Sequence, residues 1–403
     1  MKKEILAFIK ENKLELLITL CIFSNLYPYT FPKFLYYIGL ALVGYKMMKC
    51  NVHFVSRNSI YIVFLGMIFL SSLLNVALDL RLVLFTGILV LGGPFVTSVR
   101  WHLYKMKLAR CFFIGFALTV VVSLIAKALG VNYQVSHNFG GASMTMYGGY
   151  DEFSGFAKFP MWNSAAAAIS ILFFAYKLFN DKLFKSKYKW FNLAFFLSSI
   201  YICLISSSRS AFAFSMVCVG LLFLWLLSNS QSLVRYAAIL GMALLILLPF
   251  FTESATRMLQ KQQQQERTGV TSRDELWAKR EAEFLSSPIY GVGFAVNGVG
   301  LHRKIGRDES GGSWFAILAQ TGLLGFSIAL ILWFKTFTSP SNLRFYGHYL
   351  LIYATVCFFT LHSIVEGYMF QGGWYMCFIC WMFVGLLNEA QLYKRQLIAI
   401  YKY

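Results

Sequence analysis

The sequence predicts an all-α protein, a polytopic transmembrane helix bundle of about 12 spans with one large, partly helical external loop. Three observations carry that expectation. Hydrophobic residues fill 58% of the 403 positions and charged residues only 13%, about half the charge of a soluble domain, and the mean hydropathy is +0.61. Apolar runs of near-spanning length recur along the chain. Basic residues gather in short tracts between alternate runs. A soluble fold of this length has no core large enough for so much apolar surface, whereas lipid accepts an apolar exterior.

Taken in order, Met1 to Lys13 is polar and no small-residue cleavage site follows the first run, so the first helix is expected to be retained. Apolar runs lie near 14–31, 34–48, 59–78, 82–99, 111–129, 161–177, 190–207, 210–228, 234–251, 313–335, 346–365 and 372–388. The lysines and arginines between them set the orientation. With the N-terminus inside, the cytoplasmic segments hold Lys2, Lys3, Lys10, Lys13, Lys46, Lys49, Arg57, Arg100, Lys105, Lys107 and Arg110. They also hold Lys177, Lys182, Lys185, Lys187, Lys189, Arg235, Lys335, Arg344, Lys394, Arg395 and Lys402, making 22 of the 36 basic residues. Both termini are therefore expected in the cytoplasm.

The chain then divides into residues 1–251, nine spans with an external loop near 130–160; residues 252–312, the large external loop; and residues 313–403, three spans and a basic cytoplasmic tail. The large loop carries nine basic and eight acidic residues, a near balance that suits a solvated, folded segment. Within it, 272–286 reads as an amphipathic helix. Ser272 and Glu275 have capping-box spacing, and Leu276, Trp277 and Phe284 supply the apolar face.

The formal charge of +19 is placed by topology and lacks the basic-aromatic weave of a nucleic-acid surface, so no nucleic-acid partner is expected. None of the eight cysteines falls in an external segment, and Cys377 and Cys380 form C-x-x-C inside an apolar run, where packing is the expected role. No glycine-rich stretch follows a strand as a nucleotide-binding loop requires. No cluster of metal-ligand spacing appears, and no cofactor is expected.

Some residues stand out from this apolar background. Arg209 lies in SSSRSAF, among Ser207, Ser208 and Ser210, at the outer junction of two apolar runs. An arginine fork beside a helix N-terminus suits phosphate oxygens, although snorkelling to headgroups is the plainer reading. Arg273 heads the amphipathic helix and Arg280 follows two turns later. Asp308 and Glu309 are loop acids that suit either a general base or plain solvated charges, and His302 lies upstream of them. His362 and Glu366, four apart, form an ionisable pair near the outer end of a span, serving either chemistry or helix packing. Trp314, Trp374 and Tyr375 are placed to stack on a ligand's flat face or, more commonly, to form an interfacial belt.

The series SSSRSAF, R-x-x-x-W (Arg273 to Trp277), SP-x-x-GVG and L-A-x-T-G-L-L-G resembles the O-antigen ligase and polymerase superfamily over residues 150–335. KFPMWNSAAAA is similar to that family's N-x-x-A entry to a helix, with Asn163 at its start. The resemblance implies a glycosyltransferase in the bacterial inner membrane with its active site facing the periplasm. Its substrate would be an undecaprenyl-diphosphate-linked oligosaccharide, and a chain-length regulator protein would be a further partner beside membrane lipids. It gives the diphosphate leaving group to Arg209 and Arg273, with Ser207, Ser208, Ser210, Asn163, Arg280, Ser310, Ser313 and Trp314 as substrate-binding candidates. His302, Asp308, Glu309, His362 and Glu366 are the candidates for acid–base work. Ligases of the family carry a His-Asn pair where this chain has Gly311 and Gly312. That departure favours a polymerase, joining repeat to repeat by an inverting, metal-independent transfer, over a ligase that delivers glycan to lipid A–core. A lipid-linked oligosaccharide flippase is the alternative from another class, but the two halves are unalike and the spans nearly free of charge away from their ends.

Overall fold

The structure is a computed structural model that describes residues 2–133, 153–180, 188–206, 208–226, 272–300, 304–305, 311–338, 348–394 and 396–397. These residues are mostly helical. The helices are α1 (Lys2–Glu11), α2 (Lys13–Phe23), α3 (Phe34–Met48), α4 (Ile60–Leu74), α5 (Leu80–Gly92), α6 (Val99–Ala128) and α7 (Pro160–Phe179). Then come α8 (Lys189–Ile205), α9 (Arg209–Leu226), α10 (Ser272–Ser286), α11 (Ser313–Thr338), α12 (Tyr349–His362) and α13 (Tyr375–Leu392). Strands are confined to two short antiparallel ladders among the described residues, β1 (His53–Phe54) with β2 (Val96–Thr97) and β3 (Val296–Asn297) with β4 (Lys304–Ile305).

Among the described residues, α6, α7, α9, α11 and α13 are long and apolar enough to cross a membrane, and α3, α4, α5, α8 and α12 are apolar but shorter. The expected run near 234–251 lies outside the described residues. Several boundaries differ from expectation, and two of these differences change the reading. Helix α2 stops at Phe23 and gives way to a 3-10 turn at Ser24–Leu26, with Pro28 next in line to block a longer helix. Helix α6 begins at Val99, so Arg100, Lys105, Lys107 and Arg110, expected between spans, are helical. The chain forms two compact units that interleave along the sequence, one of residues 1–18, 37–109 and 270–403, the other of residues 19–36 and 110–269.

In the second unit, α8 and α9 pack on α7. Pro160 opens α7, where its missing N–H costs nothing. Ala165, Ala166, Ala167 and Ala168 are buried, and such small side chains let helix backbones approach closely in lipid. The hydroxyls of Ser170 and Ser199 meet at 3.0 Å across α7 and α8.

In the first unit α11 packs on α4, α13 on α5 and α12, and α10 on α11. Trp381 of α13 sits among the rings of Tyr61, Phe64, Phe85, Trp333 and Phe370. Helix α11 is broken at Gly322, whose φ of 64° and ψ of −170° leave the helical region. A break leaves backbone groups without their ladder partners, and at membrane depth these must be satisfied by protein. The segment 287–294 does this. Val292 and Gly293 donate N–H to the carbonyls of Ala319 and Gln320 at 3.0 and 3.1 Å, while Leu323 donates to Pro288 at 2.8 Å. Polar residues on the end of α4 complete the joint. Ser71 donates to Gln320 O at 2.6 Å, Asn75 to Gly291 O at 2.9 Å, and Ser72 accepts from Phe294 N at 3.1 Å. The approach is backbone on backbone: a Cβ on Gly322 would lie 2.3 Å from the Ile289 carbonyl oxygen. SPIYGVG and AQTGLLG are thus two halves of one joint.

Candidate active site

Three elements of the first unit meet at the start of α11. Trp277 of α10 donates its indole N–H to the Gly311 carbonyl at 2.7 Å, and its ring lies 5.2 Å from that of Phe315. Gly311 and Gly312 have φ values of 66° and 151°, open to glycine and rarely to other residues. There is no room for side chains either: a Cβ at Gly312 would fall 2.2 Å from the Ile364 carbonyl oxygen, and one at Gly311 would fall 2.9 Å from the Leu276 Cβ. The glycine pair lets α10 and the α12–α13 connection close on the same turn.

Ser313 follows and is buried. Its backbone N–H donates to the carbonyls of Ser363 and Glu366 at 2.8 and 3.0 Å. Its hydroxyl donates to the Glu366 carbonyl at 2.8 Å and accepts from the Met369 N–H at 3.0 Å. Ser313 therefore organises protein backbone from a buried position. His362 and Glu366 are 0% and 4% exposed. The His362 ring stacks on Phe358 with centroids 5.1 Å apart, and Tyr368 Oη lies 3.3 Å from His362 Nδ1. Burial pushes the Tyr368 phenol well above its ordinary range, so it stays protonated. Trp314 is half-buried and donates to Thr360 O at 3.2 Å, with its ring edge-on to Trp333.

The backbone of Arg273 lies in the first turn of α10, one turn before Trp277. Arg280, two turns further on, is 4% exposed and spends its guanidinium on protein. It donates to Glu283 Oε2 at 2.6 Å and also to Asn297 Oδ1, and Glu283 in turn accepts from the Gly298 N–H. This pair folds 296–298 back on α10.

The second unit holds the other candidates. Arg209 is exposed at the first position of α9, flanked by half-buried Ser208 and Ser210. Asn163, in the first turn of α7, is 1% exposed. Its Oδ1 accepts from Ser123 Oγ at 2.8 Å and its Nδ2 donates to Ser206 Oγ at 3.2 Å. Ser207, His302, Asp308, Glu309 and Ser310 lie outside the described residues.

One buried group gave no signal in the sequence. Lys105 of α6 donates to Glu389 Oε1 of α13 and to Gly92 O at 3.2 Å. His102 Nδ1 lies 3.0 Å from Glu389 Oε2 and its Nε2 lies 2.7 Å from Tyr349 Oη. His102, Lys105 and Glu389 are all 0% exposed. Only a helix reading of 99–110 would place His102 and Lys105, three apart, on one face.

No curated protein matches the chain. Residues 193–326 match the family model described as O-Antigen ligase (Wzy_C). That segment, one third of the chain, runs from α8 past the break in α11 and contains Arg209, Arg273, Ser313 and Trp314, while Asn163, His362 and Glu366 lie beyond its ends. Over that segment the chain is similar to the O-antigen ligase family, the kind of family that its motifs resemble.

Proposed function

We propose that the protein is an O-antigen polymerase, transferring a growing glycan from undecaprenyl diphosphate to a lipid-linked repeat unit at the periplasmic face of the inner membrane. The acceptor sugar hydroxyl attacks the anomeric carbon, and the bond from that carbon to the diphosphate oxygen breaks with its electron pair leaving on the diphosphate. Arg209 and Arg273 stabilise that developing charge, which is where preorganised donors gain most. Attack from the face opposite the leaving group inverts the anomeric centre. The acceptor's proton goes to a loop acid, Asp308 or Glu309. His362 and Glu366 enter this reading as packing groups, because they are 0% and 4% exposed and a base must reach its proton.

One observation favours polymerase over ligase. The turn at Gly311 and Gly312 is closed to side chains, with a Cβ at Gly312 only 2.2 Å from the Ile364 carbonyl oxygen. The His-Asn pair of the ligases that the chain resembles does not fit this backbone. Ligation to lipid A–core remains the second reading, because the matching family model carries the ligase description.

Deleting the gene and resolving lipopolysaccharide on a gel separates the two. A single repeat left on core is the polymerase outcome, and bare core is the ligase or flippase outcome. Complementation with Arg209→Ala and Arg273→Ala then addresses the site, and two full ladders would remove the arginine clamp.

A further inference from the structure

Asn163 sits in a motif that the sequence offers as a substrate contact, and its surroundings give it different work. At 1% exposure it has no surface for a sugar or a phosphate. Both ends of its amide are occupied, Oδ1 by Ser123 Oγ at 2.8 Å and Nδ2 by Ser206 Oγ at 3.2 Å. The three partners stand on three helices: Ser123 on α6, Asn163 on α7 and Ser206 at the C-terminal cap of α8. Ser206 is itself buried and is followed within three residues by Arg209, exposed at the start of α9. The chain between α8 and α9 is thus only three residues long, and its first residue is tied to α7 by the Asn163 amide.

The neighbouring residues reinforce the tie. The Ile205 carbonyl accepts the Phe153 N–H at 3.3 Å. Ala166 and Ala167, the next turn of α7, are 0% and 1% exposed, so α7 lies close against its neighbours where Asn163 reaches across. Small residues set the helix separation, and an amide of fixed length then sets the register of the α8 terminus.

We propose that Asn163 is a positioning residue for Arg209. Its amide fixes the α8–α9 turn through Ser206 and so holds the position from which Arg209 meets the diphosphate of a lipid-linked donor. The inference rests on the role given to Arg209 above. It turns the N-x-x-A element from a substrate contact into the buried half of an arginine mount.

The test uses full-length protein in lipid nanodiscs with an undecaprenyl-diphosphate-linked saccharide as donor. Ser206→Ala removes the hydroxyl that Asn163 reaches and leaves the Asn163–Ser123 bond, so the core survives. Ser206→Thr keeps the hydroxyl. Loss of one interhelical hydrogen bond of about 1 kcal/mol predicts a fall in kcat of about fivefold for Ser206→Ala. Donor KM should change less, because the contact being misplaced acts on the transition state. Ser206→Thr should keep most of the rate. In the Arg209→Ala background, Ser206→Ala should cost no further activity, the signature of two residues acting through one group. Asn163→Ala should behave as Ser206→Ala does wherever thermal melting shows it folded.

Two results overturn the proposal. One is an unchanged kcat for Ser206→Ala beside a crippled Arg209→Ala. The other is a Ser206→Ala loss that multiplies with that of Arg209→Ala. A wild-type rate for Arg209→Ala would instead sink the role assigned to the arginine itself.

Discussion

Ser313 holds Glu366 twice. Its N–H and its hydroxyl donate to the same Glu366 carbonyl, at 3.0 and 2.8 Å, while the hydroxyl accepts from Met369 N–H. Removing the hydroxyl leaves a buried N–H without its acceptor, at about 1–3 kcal/mol. Ser313→Ala is expected to lower thermal stability by that amount and to reduce the glycan transfer proposed above. Ser313→Thr should recover part of both. An alanine variant as stable as the parent would show that the hydroxyl is not what holds the turn.

Trp277 ties α10 to the turn before α11 with its side chain, 2.7 Å from the indole nitrogen to Gly311 O. Trp277→Phe keeps a ring beside Phe315 and removes the N–H. The expected cost is about 1 kcal/mol, with a matching fall in transfer rate because α10 also carries Arg273. Rate measurements on Trp277→Phe and Arg273→Ala, singly and together, check this. Fully independent losses would separate the tryptophan from the arginine.

Gly322→Ala places a Cβ 2.3 Å from the Ile289 carbonyl oxygen, at a φ of 64°. With a ψ of −170° this is a conformation held essentially by glycine alone, and it costs a side-chain residue about 1–3 kcal/mol, to which the collision adds. We expect poor membrane yield and early thermal unfolding, and Gly291→Ala on the opposite side of the joint should fail in the same manner. Gly220→Ala on α9, where a Cβ meets nothing within 4 Å, is the control. Equal yields for all three would mean the joint is slack.

Lys105→Met leaves Glu389 at 0% exposure without its cation. Stranding one member of a buried pair costs about 3–5 kcal/mol, whereas replacing both by apolar groups is often neutral. Unfolding of Lys105→Met should therefore come well before that of Lys105→Met/Glu389→Leu. The reverse order would show that the pair itself, and not the stranded charge, sets stability.

The apolar runs made the helices legible, since lipid-facing and buried positions are both hydrophobic and a run of such residues leaves little choice of structure. Less legible was anything that depends on which helices touch. Lys105 looked like an ordinary loop lysine because its counter-charge, Glu389, lies at the far end of the chain. Asn163, Ser313 and Arg280 looked like ligand contacts because polar residues in apolar surroundings suggest chemistry. In the structure each makes hydrogen bonds to other protein groups. The glycines of SPIYGVG and TGLLG read as two turns, because neither motif alone indicates that its backbone will lie against the other's.

The partnership of Lys105 with Glu389 also bears on how the protein is made. The two residues are 284 positions apart, so α6 leaves the ribosome long before α13 exists. During that interval the ammonium has no carboxylate to meet and must stay with water or lipid headgroups. Docking of this end of α6 is therefore expected to wait for α13, and a chain that stops before Glu389 never completes it. The pair thereby couples the settling of α6 to the arrival of a helix far along the chain.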